Sequence, residues 1–174
     1  FADAWTASTA GVVEGNVVYV GDKTADQIRA MASALRGAVV LTHQPQEEFR
    51  DLDRPQPGME ADGVRTGNPP RIQVRSTTPT REMNALLSEL GAGVIIRPSH
   101  YRDGTVGVLG NRNTPEDAPP AMVLSAEQYN MIVRLSQRGL PVELRVELRT
   151  AFDTESRTFN VIADIPGTDP ALRD

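Results

Sequence analysis

The two histidines, His43 and His100, are the side chains best suited to act as a general base or to bind a metal near neutral pH. A zinc site built from nitrogen and oxygen ligands needs about three or four His, Asp or Glu side chains brought close together. Neither histidine has a second one at helical or hairpin spacing, and no HExxH pair occurs. The sequence therefore predicts no metal ligand, and it favours a loop position for one histidine and a strand-end position for the other.

Three other clusters resemble catalytic or ligand-binding motifs. Ser99 adjoins His100, but a serine triad takes its base from another segment, and no GxSxG turn is present. The glycines between 104 and 110 precede turn-forming residues instead of the helix that a phosphate-binding loop requires. The acidic residues between 47 and 53 lack EF-hand spacing. We therefore predict no catalytic residue in this chain.

Composition excludes several classes of function. The formal net charge is −5 and no Lys/Arg cluster occurs, which argues against nucleic-acid binding. The absence of cysteine excludes disulfides, thiolate nucleophiles and cysteine-bound zinc. No apolar run approaches the roughly 18 residues that a membrane span needs. With 39% hydrophobic and 24% charged residues, the chain is typical of a globular domain.

A repeated order of helix, glycine and strand must position any site. Capping-box spacing at Thr24 and Gln27 opens the first predicted helix, and Gly37 ends it. The second and third predicted helices end at Gly91 and Gly139. Short apolar or alternating runs predict strands at 17–20, 39–41, 94–96, 122–124, 142–149 and 159–165. The pattern predicts one mixed α/β domain in which strands outnumber helices.

Residues 44–80 interrupt this order. They include six prolines and many charged residues, which predicts a large loop or excursion with a short strand at Ile72–Val74.

Three segments, Gly37–Leu41, Leu90–Ile96 and Ala118–Glu127, resemble the motifs of a protease-associated (PA) domain. Ala38 stands where that family often has lysine, and the excursion at 44–80 is larger than in a minimal member. The resemblance implies a β-rich mixed α/β fold, a PA-like β-barrel or sandwich with two to three peripheral helices.

The tail Phe159–Thr168 resembles the entry strand of the zinc exopeptidases related to plasma glutamate carboxypeptidase and aminopeptidase Y. This implies a PA domain over 1–158 and the start of a catalytic domain over 159–174. In that family the first zinc ligand lies in a G-x-H-x-D segment beyond such a tail, and the catalytic acid lies further downstream. No zinc ligand or catalytic acid is therefore carried over to this chain, and zinc is expected in the parent catalytic domain.

The resemblance implies a non-catalytic accessory domain of an exported, extracytoplasmic zinc aminopeptidase or carboxypeptidase. It would act as a lid or as a surface for peptide substrate, for the catalytic domain of the same polypeptide, or for another protein. Arg97, His100 and Tyr101 follow a central strand and form the candidate interaction surface. Two alternatives are a stand-alone protein- or peptide-interaction module with no peptidase attached, and a small enzyme using His43 or His100.

Overall fold

The computed structural model describes residues 1–49, 76–108, 110, 117–153, 155, 157 and 159–163. Most of the predicted excursion at 44–80 lies outside these ranges, and so does the predicted strand at Ile72–Val74.

The described strands form one five-stranded sheet, in the order β4-β3-β2-β1-β5. They are β1 (Val13–Tyr19), β2 (Val39–Leu41), β3 (Val94–Pro98), β4 (Ala121–Leu124) and β5 (Glu143–Val146). The first four strands run parallel, and β5 pairs antiparallel with β1. Four parallel neighbours bring the carboxyl ends of their strands to one edge of the sheet.

The helices are α1 (Ala25–Ala30), α2 (Ala32–Leu35), α3 (Thr80–Glu89) and α4 (Ala126–Gln137). The predicted capping box is confirmed: the Gln27 N–H donates to Thr24 Oγ1, and the Thr24 N–H donates to Gln27 Oε1. The first predicted helix is divided because Met31 leaves helical geometry, at φ −96° and ψ 13°. With this division the described residues contain four helices, where the resemblance implied two to three.

The sheet has a hydrophobic cluster on each face. One face packs Val20, Val40 and Ile95 against apolar residues of α1, α2 and α3. The other packs Val39, Leu41, Val94 and Ile96 against Tyr129, Ile132 and Val133 of α4. Alternate residues of a strand point to opposite faces, so continuous apolar runs are what a sheet covered on both sides requires.

Residues 1–9 connect the two edges of the sheet. The Phe1 and Val123 backbones exchange hydrogen bonds, so the segment begins alongside β4. The Thr9 N–H donates to Leu148 O and the Leu148 N–H donates to Thr9 Oγ1, so the segment ends beside the residues that follow β5. Both edges of the sheet are thereby joined through one N-terminal segment.

The predicted mixed α/β, strand-rich class is confirmed, with differences in the bounds of several strands. β1 begins at Val13 instead of Val17, because β5 pairs with residues 13–16. β5 ends at Val146, although side-chain burial continues to alternate to Arg149. Residues 159–163 do not form the predicted strand, and Phe159, Val161 and Ile162 are exposed. Within the described ranges the longest helix has 12 residues, and none has both the length and the hydropathy to cross a bilayer.

Candidate functional site

The edge formed by the carboxyl ends of the parallel strands carries several buried polar side chains among the described residues, including Thr42, His43, Ser99 and Ser125. Tyr19 ends β1, His43 lies two residues after β2, and Arg97 lies near the end of β3. In open α/β sheets this edge is the usual position of ligand sites. The contacts of these residues decide whether they are available for chemistry.

His43 is held neutral inside the domain. It is 6% exposed, and a 2.8 Å hydrogen bond joins its Nδ1 to Thr42 Oγ1. Burial first, and then the positive charge of Arg97, lower the pKa of His43 to about 4. An imidazole with this pKa is uncharged at neutral pH and is a weak proton acceptor.

Tyr129 of α4 fixes the backbone of His43. The His43 N–H donates to Tyr129 Oη at 2.8 Å, and the Tyr129 hydroxyl donates to His43 O at 2.6 Å. Burial raises the pKa of Tyr129 far above its usual range. One phenolic oxygen therefore provides hydrogen-bond partners for both the backbone N–H and the backbone C=O of His43, a buried residue beyond the end of β2.

Tyr19 differs from Tyr129 although both are buried in the same cluster. Among the buried side chains of the described residues, its hydroxyl is the one polar atom without a hydrogen-bond partner. Burial, and then the negative charge of Asp22, raise the pKa of Tyr19 to about 12. The side chain contributes apolar packing, and its hydroxyl contributes no bond to the fold.

Arg97 is engaged by Asp3. Its Nε and one terminal nitrogen donate to the two carboxylate oxygens at 2.6 and 2.7 Å, and the side chains are 19% and 10% exposed. Bidentate geometry of this kind is the strongest form of arginine–carboxylate pair. The predicted surface residue thus lies in a strand and anchors residues 1–9 to the sheet.

Replacing Asp3 with asparagine is expected to lower the free energy of unfolding by about 2 kcal/mol, because it leaves a mostly buried guanidinium without its counter-charge. Chemical denaturation followed by circular dichroism would measure the loss. The matched control is Asp26→Asn in the exposed Asp26–Arg29 pair, where the change should stay within about 0.5 kcal/mol. Equal losses in the two variants would contradict a structural role for the Asp3–Arg97 pair.

His100 and Tyr101 lie in the loop after β3. Their ring centroids are 4.8 Å apart at an angle of 44°. Tyr101 also covers Gly107, where an added Cβ would lie 2.5 Å from its ring. Ser99 is fully buried, and its Oγ accepts the N–H groups of Tyr101 and Gly107, both at 3.2 Å. Ser99 therefore organises the loop through backbone hydrogen bonds.

Glu127, in the first turn of α4, holds the same loop from outside. Its Oε1 accepts the Asp103 N–H at 2.9 Å. Hydrogen bonds from its own N–H and then from the Gly104 and Asp103 N–H groups lower the pKa of its carboxyl. Asp103 has a positive φ of 59°, and this contact supports that conformation. The loop that presents His100 and Tyr101 is therefore fixed at several points.

Sequence reasoning missed the residues that organise this site. Asp3 lies in a segment without periodicity, and no local spacing indicates that the Tyr129 hydroxyl bonds to His43. Ser125 caps α4, since its Oγ accepts the Gln128 N–H. Glu127 lies in the same first turn, but its loop contact could not be inferred from local spacing.

Among the described residues, no three His, Asp or Glu side chains come close enough to hold a metal ion. His43 is neutral and buried, and Ser99 is occupied by backbone N–H groups. His100 and Tyr101, both half-buried, lie in the loop beside these polar residues.

The comparisons with known proteins extend this picture. No family model matches the sequence, and no curated protein matches it. In structure, the chain is similar to an aminopeptidase from Aneurinibacillus sp. strain AM-1, with a TM-score of 0.51 and 13% identity over 84% of this chain and 26% of that one. A peptidase M28 precursor from Shewanella amazonensis SB2B gives a TM-score of 0.46 and 17% identity, over 84% of this chain and 31% of that one. The likeness concerns the fold, and this chain spans about a quarter of the first protein's length.

Proposed function

We propose that this chain is a non-catalytic accessory domain, of the PA type, of an exported zinc aminopeptidase or carboxypeptidase. The observation that carries the proposal is the asymmetry of the structural match, which includes 84% of this chain and only 26% of an aminopeptidase. A fold that occupies a quarter of a peptidase leaves room elsewhere in that chain for a catalytic domain.

The chemistry of the described residues supports an accessory role. The two histidines lie in different environments: His43 is neutral within the core, and the His100 ring packs against Tyr101. No described cluster offers ligands for zinc, so zinc would be held by residues of the parent catalytic domain. In this proposal the present chain contributes a surface and no bond-making group.

The His100–Tyr101 loop and a second exposed surface fit a role in substrate access or domain contact. The Trp5 and Phe152 rings lie 6.5 Å apart and are 56% and 61% exposed. Phe152 leads into the segment where Phe159, Val161 and Ile162 expose their side chains. Exposed aromatic and aliphatic side chains are typical of surfaces that contact another domain or a peptide.

Exopeptidase assays test the proposal. The 174-residue chain and the full gene product are compared on dipeptides and aminoacyl-anilides with zinc added. We expect turnover only in the longer product, lost on chelation and restored by zinc. Chelator-sensitive turnover by the short chain would contradict the proposal, and a longer product without peptidase activity would favour the stand-alone interaction module.

The same assay distinguishes the proposed accessory domain from the third interpretation, a small enzyme that uses a histidine. Under that interpretation the short chain would turn over substrate, and His43→Gln or His100→Gln would abolish the activity. We expect neither variant to change the background rate of the short chain.

A further inference from the structure

β5 is an edge strand of the sheet. The N–H and C=O groups of its successive residues point alternately toward β1 and away from it. The Val17 N–H donates to Val142 O, and the Leu148 N–H donates to Thr9 Oγ1. Even-numbered residues therefore turn their backbone groups toward β1 and the segment before it. Successive residues of a strand point in opposite directions. The outward-facing residues are consequently Glu143 and Arg145 of β5, together with Glu147 and Arg149 of the stretch after Val146, where the alternation of burial continues.

This outer side of β5 is accessible. In the part of the chain that the structure describes, the β1 ladder is the only strand pairing of β5, and the backbones of Glu143, Arg145 and Glu147 enter no other hydrogen bond. The Arg145 and Arg149 side chains are 72% and 85% exposed. An edge with unpaired backbone groups is a template for another strand.

The charges along this edge are self-complementary for one arrangement. Suppose a second copy of β5 runs antiparallel to the first with Val146 on the two-fold axis. Glu143 then lies opposite the partner's Arg149, and Arg145 lies opposite the partner's Glu147. Two-fold symmetry repeats both pairs, so every charged residue of the edge faces an opposite charge. Opposite charges at directly facing positions stabilise a strand pair, and like charges destabilise it.

Neighbouring registers lack this property. Only the odd-numbered residues direct hydrogen-bonding groups outward, so they must face one another. Moving the axis one residue, to Arg145 or to Glu147, places like charges opposite each other throughout. Moving the axis two residues, to Leu144 or to Leu148, again places opposite charges face to face. Only two of the four charge pairs then remain. The arrangement centred on Val146 is therefore specified by the sequence of the edge.

We propose that β5 is a homodimerisation edge, at which two copies of this chain pair antiparallel with Val146 on the axis. The two sheets then form one continuous sheet through both copies, an isologous interface of the commonest symmetry. The contacts of Arg145 with Glu14, at 3.6 Å, and of Arg149 with Glu147, at 2.7 Å, lie on the exposed face and remain compatible with pairing. The inference concerns the edge alone and does not depend on the proposed peptidase association.

Charge exchange tests this dimer in the full 174-residue chain. Sedimentation velocity over a range of concentrations should show wild-type dimers that dissociate as salt is raised. R145E places two carboxylates opposite each other at both symmetric positions, and the dissociation constant should rise at least tenfold. R145E/E147R exchanges the two charges and should restore wild-type association. R29E makes the same change of charge on α1 and should have no effect.

Two outcomes would overturn the proposal. A wild-type chain that stays monomeric at every concentration would show that β5 does not pair with itself, including the case in which it pairs with a strand of another protein. Equal dissociation constants for R145E and R145E/E147R would show that the facing charges do not act.

Single cysteines provide an independent measurement of register, because the chain has no cysteine of its own. Facing residues of a hydrogen-bonded antiparallel pair are about 5.5 Å apart at Cα, within disulfide reach. A mixture of R145C and E147C chains should oxidise to the mixed dimer. Preferential self-linking of R145C alone, or of E147C alone, would indicate a shifted register and contradict the proposal.

Discussion

Replacing Tyr129 with phenylalanine is expected to lower the free energy of unfolding by about 3 kcal/mol. The Tyr129 hydroxyl donates to His43 O and accepts from the His43 N–H. Phenylalanine keeps the packing of the ring against the sheet but leaves both groups of this buried backbone position without a partner. Each unsatisfied group costs about 1–3 kcal/mol. Urea denaturation monitored by tyrosine fluorescence and circular dichroism would measure the change.

Tyr19→Phe is the matched control within the same hydrophobic cluster. The Tyr19 hydroxyl is buried without a partner, so its removal eliminates a desolvation cost and no hydrogen bond. We expect stability to be unchanged or raised by about 1 kcal/mol. If the two substitutions destabilise the domain equally, the two hydrogen bonds of the Tyr129 hydroxyl add no specific stability, and the role assigned to them is wrong.

The stability of the domain is expected to fall by about 3 kcal/mol between pH 6.5 and pH 4 through His43 alone. The folded state holds the pKa of His43 at about 4, and the unfolded chain returns it to the usual value near 6.5. Between these values the unfolded state binds the proton more readily, so acid favours unfolding. Above pH 6.5 the contribution is constant, and below pH 4 no further loss arises from this group.

Carboxyl groups also titrate at low pH, so the contribution of His43 is measured by comparing the fall in unfolding free energy between wild type and variants. His43→Gln removes the titrating ring, and the fall in unfolding free energy between pH 6.5 and pH 4 should shrink by about 3 kcal/mol. His100→Gln should leave the fall unchanged. Thr42 Oγ1 is hydrogen-bonded to the His43 ring, and the positive charge of Arg97 acts with burial in the direction that lowers the pKa. An identical pH profile for wild type and His43→Gln would contradict the neutral, buried state of this histidine.

Elements with local signals could be predicted from the sequence. The capping box at Thr24 and Gln27 predicted the start of α1, and Val39–Leu41 was located at its observed bounds. Alternation over residues 142–149 predicted which side chains of β5 and its continuation are buried. In each case the determining interactions lie within one turn of helix or one face of a strand, so neighbouring residues carry the information.

Elements that depend on distant partners could not be predicted. Residues 13–16 contain glycine and asparagine, which are poor strand formers, and they are strand because β5 pairs with them. Residues 1–9 carry no periodic pattern, and their position depends on Asp3 meeting Arg97 and on Thr9 meeting Leu148. The hydroxyl of Tyr129 likewise acts on a residue 86 positions away. Local spacing contains no information about such pairs.

The candidate site shows the same division. The sequence indicated a surface at Arg97, His100 and Tyr101. In the structure Arg97 pairs with Asp3 and holds residues 1–9, whereas His100 and Tyr101 lie in the loop after β3. Arg97 variants are therefore poor probes of binding, since they also disturb the position of residues 1–9. Substitutions confined to His100 and Tyr101 report on the loop more directly.

The N-terminal segment also has a consequence for synthesis. Its long-range hydrogen bonds reach residues 94 to 144 positions further along the chain, from Arg97 to Thr150. A ribosome adding about 5–20 residues per second needs about 7–30 s to deliver the last of those partners. For most of that interval the segment has already left the tunnel while the strands it will join are still being made. The hydrogen bonds of residues 1–9 therefore form late during synthesis, and the segment is available to chaperones until then.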